Sequence, residues 1–360
     1  MRYRQNVVVV AACCAAWLAL ALAPSDTLAK TKKKAPAVVR ADDAPEAVIY
    51  GTRDDVMRFG AELAERRGLD VAWVQAALAE SKYIPSVVKY IMPPPAGTAK
   101  NWALYRSRFI EPIRIRAGLA FWNANEAWLK LVEQRYGVPA EVIVGVVGVE
   151  TIYGRHMGNF RVIDALATLS FDFPTGRRDR SAFFRDELES LFVLSHNEHT
   201  SPLALKGSYA GAIGMPQFMP SSVAAHAVDL DGDGHIDLQH SSADVIGSVA
   251  NFLAKAGWLR GLPAYFDVDV PVDAGARAEL LMPDIVPLFS PKEFADRGAR
   301  LGPSALAIDG KLALIELQNG DAAPSYVAGT TNFYAITRYN WSSYYAMAVL
   351  ALGEAVKQRR

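Results

Sequence analysis

The chain has 360 residues, 51% of them hydrophobic, and its 38 basic residues balance 38 acidic residues. A net charge of zero gives no electrostatic basis for binding nucleic acid, which excludes that class of partner. The two cysteines, Cys13 and Cys14, lie side by side near the N-terminus.

Residues 1–29 have the three parts of a secretory signal peptide. Arg2 and Arg4 are followed by an apolar run over residues 7–23, and then by small and polar residues up to Ala29. We predict cleavage after Ala29, with Ala23 as the alternative site. The mature chain would then hold no cysteine, which excludes disulfides, thiol catalysis and cysteine metal sites, and its net charge would be near −1.

Two other interpretations of this N-terminal segment stay open. The apolar run could be a transmembrane anchor, although its 17 residues are marginal for crossing a bilayer. A lipoprotein cleavage site could instead leave an acylated Cys13 at the new N-terminus and attach the protein to the outer membrane. Residues 30–45, which begin with several lysines, are predicted to be a flexible linker.

Residues 46–130 carry a helical pattern, with apolar residues at three- and four-residue spacing. Asp70 is predicted to cap a helix that begins at Val71. Residues 92–98, MPPPAGT, break the pattern and predict an extended loop. Aromatic residues are dense after this loop, and most of them are predicted to pack in the core.

An acid stands out in the segment 137–154, GVPAEVIVGVVGVETIYG. Residues 142–149 are all apolar or glycine, so the helix is predicted to be buried nearly all round, with Glu150 at its end. A carboxyl group that leaves water without a partner usually holds its proton, which is the state that a general acid needs. The alternative is a structural glutamate, solvated at the helix terminus or paired with Arg155 or Arg161.

Residues 208–222 are rich in glycine, alanine and methionine, with Pro216 and Pro220 on either side of Gln217. Glycines let the backbone approach another group closely, and the Gln217 amide can both donate to and accept from an acetamido group. A tight turn between helices would explain the glycines equally well.

Residues 229–237, DLDGDGHID, resemble the first half of an EF-hand calcium loop. Alternating aspartates supply the several oxygen ligands that this hard cation requires. Position twelve departs from the pattern, because His240 stands where a bidentate glutamate is expected. We therefore predict a longer loop, residues 229–244, that binds structural calcium; the alternative is a metal-free turn, in which the carboxylates would repel one another. The predicted ligands are Asp229, Asp231, Asp233, the carbonyl of His235, and Asp244.

Residues 262–329 change to strand-like alternation, as in YFDVDVPV at 265–272 and KLALIEL at 311–317. Asn319 and Gly320 form a turn signal between strands. The prolines scattered between the predicted strands are Pro283, Pro287, Pro291 and Pro303. The pattern predicts a small β-rich subdomain inserted into a helical fold, which resumes near residue 330.

Five segments together, in this order, resemble the membrane-bound lytic transglycosylase B family of periplasmic enzymes that cleave peptidoglycan. They are ETIYG at 150–154, RVIDALATLSF at 161–171, KGSYAGAIGMPQFMPSS at 206–222, DLDGDGHID at 229–237 and ITRYNWSSYYAMA at 336–348. Because several long motifs occur in the family's order, the resemblance is specific, and it covers roughly residues 45–355.

This resemblance implies a mainly α fold. Residues 131–261 and 330–355 would form a lysozyme-like catalytic core, preceded by an N-terminal helical domain over residues 46–130 and interrupted by the β-rich subdomain over residues 262–329. It implies that Glu150 is catalytic. Substrate-binding roles are implied for Tyr105, which would face Glu150, and for Ser208, Gln217, Asn340 and Tyr344. Met215 stands where some members carry an aromatic residue, so one sugar contact is in question.

A single carboxyl group would set the mechanism. Ordinary glycosidases use two carboxyl groups, and the carboxylate next in sequence, Asp164, suits an N-cap or a structural partner better than a nucleophile. The 2-acetamido oxygen of muramic acid would then attack C1, with Glu150 as acid and later as base, and the 6-hydroxyl would close a 1,6-anhydro ring. We expect a monomer that acts on glycan strands in the periplasm. The alternatives are a muramidase that uses water and a non-catalytic peptidoglycan-binding protein.

Overall fold

The computed structural model describes residues 49–93 and 99–360. The signal peptide, the linker and Cys13 lie outside these residues, and so does most of the loop predicted at 92–98. The helices in the first half of the chain are α1 Asp54–Arg67, α2 Val71–Ala79, α3 Pro85–Ile91, α4 Trp102–Ser107, α5 Pro112–Ala124, α6 Glu126–Tyr136, α7 Ala140–Thr151 and α8 Val162–Phe171. Those in the second half are α9 Ser181–Asn197, α10 Pro220–His226, α11 Ser242–Lys255, α12 Ala274–Leu281, α13 Pro291–Asp296, α14 Pro303–Leu306, α15 Thr331–Thr337 and α16 Ser343–Lys357.

Six short strands complete the described part of the chain. They are β1 Phe160–Arg161, β2 Lys206–Gly207, β3 Tyr265–Asp269, β4 Arg300–Leu301, β5 Ala313–Asn319 and β6 Ala322–Gly329. The predominance of helices confirms the predicted mainly α fold. Among the residues with assigned positions, no helix combines the length and the hydropathy that a membrane span requires.

Local sequence signals explain where several N-terminal helices begin and end. The Asp70 carboxylate accepts a 2.6 Å hydrogen bond from the amide of Trp73, which confirms the predicted cap of α2. Asn101 caps α4 in the same way, through Leu104. Helix α3 ends at Ile91, before the prolines, and its C-cap Met92 is extended. The bounds of this region thus follow from capping side chains and from proline, as expected.

The core is organised around α7, which packs against α16. Residues from Val142 to Val149 are all buried, as predicted from their composition. Glycines allow the two helices to come close: a Cβ at Gly145 would lie 2.2 Å from the Val349 carbonyl oxygen, and one at Gly353 would lie 2.0 Å from that of Glu141. A side chain at either position would therefore force the helices apart.

The insertion at residues 262–329 contains a four-stranded antiparallel sheet with the order β4-β3-β6-β5. Gly320 has a φ of +64° in the turn between β5 and β6, as the turn signal predicted. A second apolar cluster, which includes Leu280, Phe294 and Leu314, lies in this part of the chain. The insertion also holds α12, α13 and α14, which were not predicted.

Two of the prolines interpreted as inter-strand breaks have a different role. Pro291 and Pro303 occupy the first turns of α13 and α14. Proline fits this position because its fixed φ suits a helix and its missing N–H would have no intrahelical partner there. Ser290 and Glu293 complete a capping box at α13, so this helix had a recognisable sequence signal that the strand interpretation overlooked.

Candidate active site

Helix α7 presents Glu150, which is half-buried, at the end of a buried segment. The chain turns sharply just beyond it, because Ile152, Tyr153 and Gly154 all have left-handed backbone, with φ of 52°, 56° and 86°. This conformation costs free energy for a β-branched residue such as Ile152. The fold therefore holds a strained turn next to the one acid that the sequence singled out.

One partner of Glu150 is Tyr345, whose hydroxyl donates a 2.6 Å hydrogen bond to Oε1. Tyr345 is 1% exposed and comes from the first turns of α16. It occupies the same helix face as Val349, Leu352 and Val356, which are fully buried. Because the face that carries Tyr345 packs on α7, the hydroxyl has a fixed direction and the carboxyl group has a fixed partner.

Residues 208–222 are tied to this acid through the backbone. The Thr151 hydroxyl donates to the Met215 carbonyl at 2.9 Å and accepts from the amide of Gly154 at 3.0 Å. The Tyr339 hydroxyl donates to the Pro216 carbonyl at 2.5 Å, and its ring stacks on that of Tyr345 at 6.1 Å. The acid, the strained turn and the glycine-rich segment thus form one connected unit.

Ser208 and Gln217 lie inside this unit, and both are buried. The Ser208 hydroxyl accepts hydrogen bonds from the amides of Ala210 and Ala212, at 3.3 and 3.1 Å. The Gln217 Nε2 donates to two carbonyls, those of Met157 at 3.1 Å and Gly214 at 2.9 Å. In this structure these two side chains shape the loop, and their contact with a sugar stays a prediction.

Tyr105 and Tyr344 stand together at one wall of the site. Their rings meet edge to face at 5.8 Å, and Trp102 packs against both. The Tyr344 hydroxyl donates to the Gln318 carbonyl at 3.2 Å, and burial raises the pKa of this phenol, which stays neutral. The wall therefore joins α4, α16 and the end of β5.

Asn340, between α15 and α16, is 2% exposed. Its Nδ2 is buried and finds no hydrogen-bond partner among the residues that the structure describes. An unpartnered buried donor is costly, and it calls for an explanation such as a ligand atom that arrives from outside.

The carboxylates nearest to Glu150 in the sequence on either side, Asp164 and Glu141, form ion pairs with other residues. Asp164 accepts from the Arg161 guanidinium at 2.8 Å and from the amide of Lys82 at 3.0 Å. It stands in the first turn of α8, whose N-cap is Arg161, so the alternative of Asp164 as N-cap is wrong and its structural pairing is confirmed. Glu141, at the other end of α7, pairs with Lys357 at 2.7 Å.

The predicted calcium loop brings three carboxylates together. One oxygen each from Asp229, Asp231 and Asp244 lies within 4.8 Å of the others. Two ligands of one Ca²⁺ ion, each about 2.3–2.6 Å from it, can be up to about 5 Å apart, so this spacing fits the ion. Burial raises the pKa of Asp244, and the charges of Asp231 and Asp229 add to the rise, as expected for acids that crowd one position.

The remaining predicted ligands differ. Asp233 lies outside the three-carboxylate group, and its Oδ1 accepts from the amide of His235 at 2.8 Å. Asp244, beyond the twelve-residue loop, belongs to α11, and its two oxygens accept from the amides of Leu230 and Asp237 at 2.8 and 2.9 Å. The roles of Asp233 and of the His235 carbonyl stay predictions.

Sequence reasoning missed Tyr345, Tyr339 and Thr151 as parts of this site. The sequence did hold a signal for Tyr345, which shares one helix face with three aliphatic residues at three- and four-residue spacing. A tyrosine on a buried face needs a hydrogen-bond partner for its hydroxyl. The hydroxyls of Thr151 and Tyr339 donate hydrogen bonds to main-chain carbonyls of a loop that is distant in sequence. No local sequence pattern predicts such contacts.

Comparisons with known proteins identify one family of enzymes. Residues 51–354 match the family described as Transglycosylase SLT domain. The membrane-bound lytic murein transglycosylase B of Escherichia coli is 39% identical over 320 residues, which cover 86% of this chain and 85% of that protein.

Two solved structures are also similar. The soluble lytic transglycosylase SltB1 of Pseudomonas aeruginosa has a TM-score of 0.77 at 40% identity, covering 85% of this chain and 99% of that one. The lytic transglycosylase Slt35 of Escherichia coli, in complex with calcium, has a TM-score of 0.73 at 38% identity, covering 85% and 94%. The chain that carries this fold and this half-buried glutamate therefore belongs to the lytic transglycosylase family, which acts on peptidoglycan.

Proposed function

We propose that Glu150 is the single catalytic carboxyl group with which this lytic transglycosylase cleaves the β-1,4 bond between N-acetylmuramic acid and N-acetylglucosamine. The observation that carries the proposal is the 2.6 Å hydrogen bond from Tyr345 to Glu150 at the end of the buried helix α7. Asp164 and Glu141, the flanking carboxylates, are both ion-paired and so are poor candidates for a second catalytic group.

The chemistry needs one acid that acts twice. Protonated Glu150 gives its proton to the leaving glycosidic oxygen while the 2-acetamido oxygen of muramic acid forms a bond to C1. Ionised Glu150 then takes the proton of the 6-hydroxyl, whose oxygen attacks C1 and breaks the bond to the acetamido oxygen. The carboxyl group ends protonated, as it began, and the product carries a 1,6-anhydro ring.

Tyr345 supports the ionised stage of this cycle. A hydroxyl that donates to a carboxylate favours the charged form and holds its oxygens in one orientation. Since the ring of Tyr345 is fixed between α7 and Tyr339, the bond requires little further ordering when the substrate binds.

Several polar groups around the acid suit an acetamido sugar. Within residues 49–93 and 99–360, the Gln217 Oε1 accepts no hydrogen bond, while both protons of its Nε2 are directed at carbonyls. This oxygen could accept from an acetamido N–H, and the unpartnered Asn340 Nδ2 could donate to a sugar oxygen. Tyr105 and Tyr344 would supply aromatic faces beside the sugar rings, and Ser208 would keep the loop in shape.

Calcium would bind at the loop of residues 229–244. Asp229, Asp231 and Asp244 would hold it, with Asp233 and the His235 carbonyl as further ligands once the loop closes. The bound ion would neutralise carboxylates that otherwise repel, and would fix α11 relative to the loop. Its role would be structural, because the ordered loop supports the glycine-rich segment through the bond from the Met215 amide to the Leu238 carbonyl, at 2.8 Å.

The setting of the enzyme follows from the same family membership and from the N-terminal sequence. We infer a periplasmic monomer released by cleavage after Ala29, with an acylated Cys13 and outer-membrane attachment as the alternative. The division into an N-terminal domain at 46–130, a core at 131–261 and 330–355, and an insertion at 262–329 is part of the proposal.

Glu150→Gln tests the central role. The amide keeps the shape and a hydrogen-bonding oxygen but removes proton transfer, so turnover should fall by about 10²- to 10⁴-fold or more, because the group acts twice. Glu141→Gln, on the same helix, is the matched control and should keep turnover. Release of soluble fragments from purified peptidoglycan is the assay, and near-normal turnover by a folded Glu150→Gln enzyme would end the assignment.

A further inference from the structure

A polar cavity of about 190 Å³ lies beside the proposed groove, between the inserted sheet and the start of α16. Glu316 and Gln318 of β5 line it, together with Ser343 and Tyr344 of α16. Pockets for whole small molecules usually have about 300–1,000 Å³. This cavity therefore suits one amino-acid-sized group better than a disaccharide.

Three charged side chains line this cavity, and one of them, Glu316, already accepts hydrogen bonds from Tyr326 and Gln318. Lys100 and Asp284 both line it, and both side chains are exposed. Within the described ranges, neither forms an ion pair or a side-chain hydrogen bond, although the Lys100 Nζ lies 5.9 Å from the ring centre of Tyr344. An ammonium and a carboxylate that do not neutralise each other, on one small cavity, suit a ligand that carries both charges.

The backbone around Lys100 is fixed in place by the β5–β6 hairpin. The Gly320 amide donates to the Lys100 carbonyl at 3.0 Å, and Asn101 pairs with Asn319 as an isolated bridge. The Tyr344 hydroxyl is bound to the Gln318 carbonyl at 3.2 Å. These contacts hold the base of the Lys100 side chain and the aromatic rim together before any ligand arrives.

The cavity adjoins the catalytic acid through two consecutive residues. Tyr345 bonds to Glu150, while Tyr344, one residue earlier in α16, lines the cavity. Successive side chains on a helix point about 100° apart. Tyr345 is therefore directed at Glu150, while Tyr344 is directed at the cavity. A sugar bound at Glu150 would therefore have this cavity at its side.

We propose that the cavity binds the peptide stem of the muramic acid residue at the cleavage site, with Lys100 pairing with a stem carboxylate and Asp284 with a stem amine. The inference rests on the proposed function, because it places that sugar next to Glu150. In peptidoglycan the lactyl carboxyl group of muramic acid is amide-bonded to the stem, so the stem-bearing glycan backbone carries neither charge. The stem itself carries carboxylates and, in its diamino acid, an amine. A stem of three residues extends up to about 10 Å, which is enough to leave the groove.

The test compares peptidoglycan with intact stems and glycan strands from which an amidase has removed them. Lys100→Gln and Asp284→Asn should each lower kcat/KM on the stem-bearing substrate by about fivefold, the upper range for an exposed ion pair. The ratio between the two substrates should change by the same factor for Asp284→Asn, and by less for Lys100→Gln, because the amidase frees a lactyl carboxylate that Lys100 can also meet. Lys89→Gln and Asp309→Asn, which remove exposed charges outside the cavity, are matched controls and should leave this ratio unchanged.

The outcomes separate this inference from the proposed function. An equal loss on both substrates would make the cavity a sugar site or a support for the groove, and would overturn the inference. An unchanged ratio in both variants would overturn it as well. A wild-type enzyme that cleaved neither substrate would instead overturn the proposed function, and the inference with it.

Discussion

Removal of the Tyr345 hydroxyl changes one hydrogen bond of the site and leaves the surrounding packing in place. Tyr345→Phe deletes one oxygen and leaves the ring stacked on Tyr339. The lost bond, 2.6 Å from the hydroxyl to the Glu150 carboxyl group, is short, and its acceptor is charged in the ionised stage of the proposed cycle. Hydrogen bonds to charged groups contribute about 1.5–3 kcal/mol, and about 1.36 kcal/mol corresponds to a tenfold change in rate.

We therefore expect kcat of Tyr345→Phe to fall by about 10- to 150-fold, with little change in KM. The split follows because Tyr345 contacts the carboxyl group and its loss acts on the stage in which charge develops. Initial rates of soluble fragment release, measured over a range of peptidoglycan concentrations, separate the two constants. The alkaline limb of the pH–rate profile should also move to higher pH, because Glu150 must start protonated and its ionised form loses a donor.

Tyr50→Phe is the matched control. The Tyr50 hydroxyl donates to the Asp172 carboxylate, also at 2.6 Å, in a contact between the short turn before α1 and the C-cap of α8. This variant should lose stability but keep kcat. If Tyr345→Phe kept kcat within twofold of the wild type, the proposed support of the acid by this tyrosine would be refuted.

Three further predictions concern stability. Calcium should raise Tm more than magnesium does, because calcium at 100 times its dissociation constant adds about 2.7 kcal/mol to the free energy of unfolding. Asp231→Asn should abolish this difference between the two ions. If the Tm of a metal-free preparation responded to neither ion, the loop would be an ordinary turn. Gly145→Ala should cost about 1–3 kcal/mol or more in denaturant titrations, because its Cβ would meet the Val349 carbonyl, whereas Gly302→Ala meets nothing within 4 Å and should be nearly neutral. The pKa of Glu293 is lowered to about 2, mainly by the hydrogen bond from the Ser290 amide at the cap of α13. The ionised form therefore stabilises the fold above the ordinary pKa near 4.5, and this stabilisation is lost as the pH falls towards 2. The Tm difference between wild type and Glu293→Gln should shrink over that range, and a constant difference would argue against the charge.

Local sequence patterns predicted the elements whose cause is local. The buried run before Glu150, the cap at Asp70 and the hairpin turn at Gly320 each depend on a few neighbouring residues, and the structure has all three. Helices α12 to α14 were missed because apolar alternation on either side of them dominated the interpretation of that region. The capping box at α13 was a local signal for a helix, and it should have counted for more than this alternation.

The site was less predictable than the fold because its bonds join distant parts of the chain. The bond between Glu150 and Tyr345 spans 195 residues, and that between Tyr339 and Pro216 spans 123. No spacing rule reaches so far. Packing of α16 on α7 brings the first pair together, and the second joins the turn between α15 and α16 to the segment before α10. The family resemblance indicated the neighbourhood of the acid, but not which tyrosine holds it.

The same limit applies to the calcium loop. The alternating aspartates were visible in the sequence, and Asp244 was predicted as the closing ligand because it is the nearest carboxylate after position twelve of the loop. The structure joins Asp244 to Asp229 and Asp231 but leaves Asp233 apart. Which oxygens meet depends on the turn geometry at Gly232 and Gly234, both with positive φ, and a pattern of residue types does not define that geometry.

The claim that one carboxyl group and the substrate's own hydroxyl complete the reaction is tested most directly by mass spectrometry of the products formed in ¹⁸O-labelled water. Ring closure by the 6-hydroxyl predicts fragments that end in 1,6-anhydromuramic acid and contain no label. Reducing-end muramic acid that carries ¹⁸O would show that water attacks C1, and would contradict the mechanism proposed for Glu150.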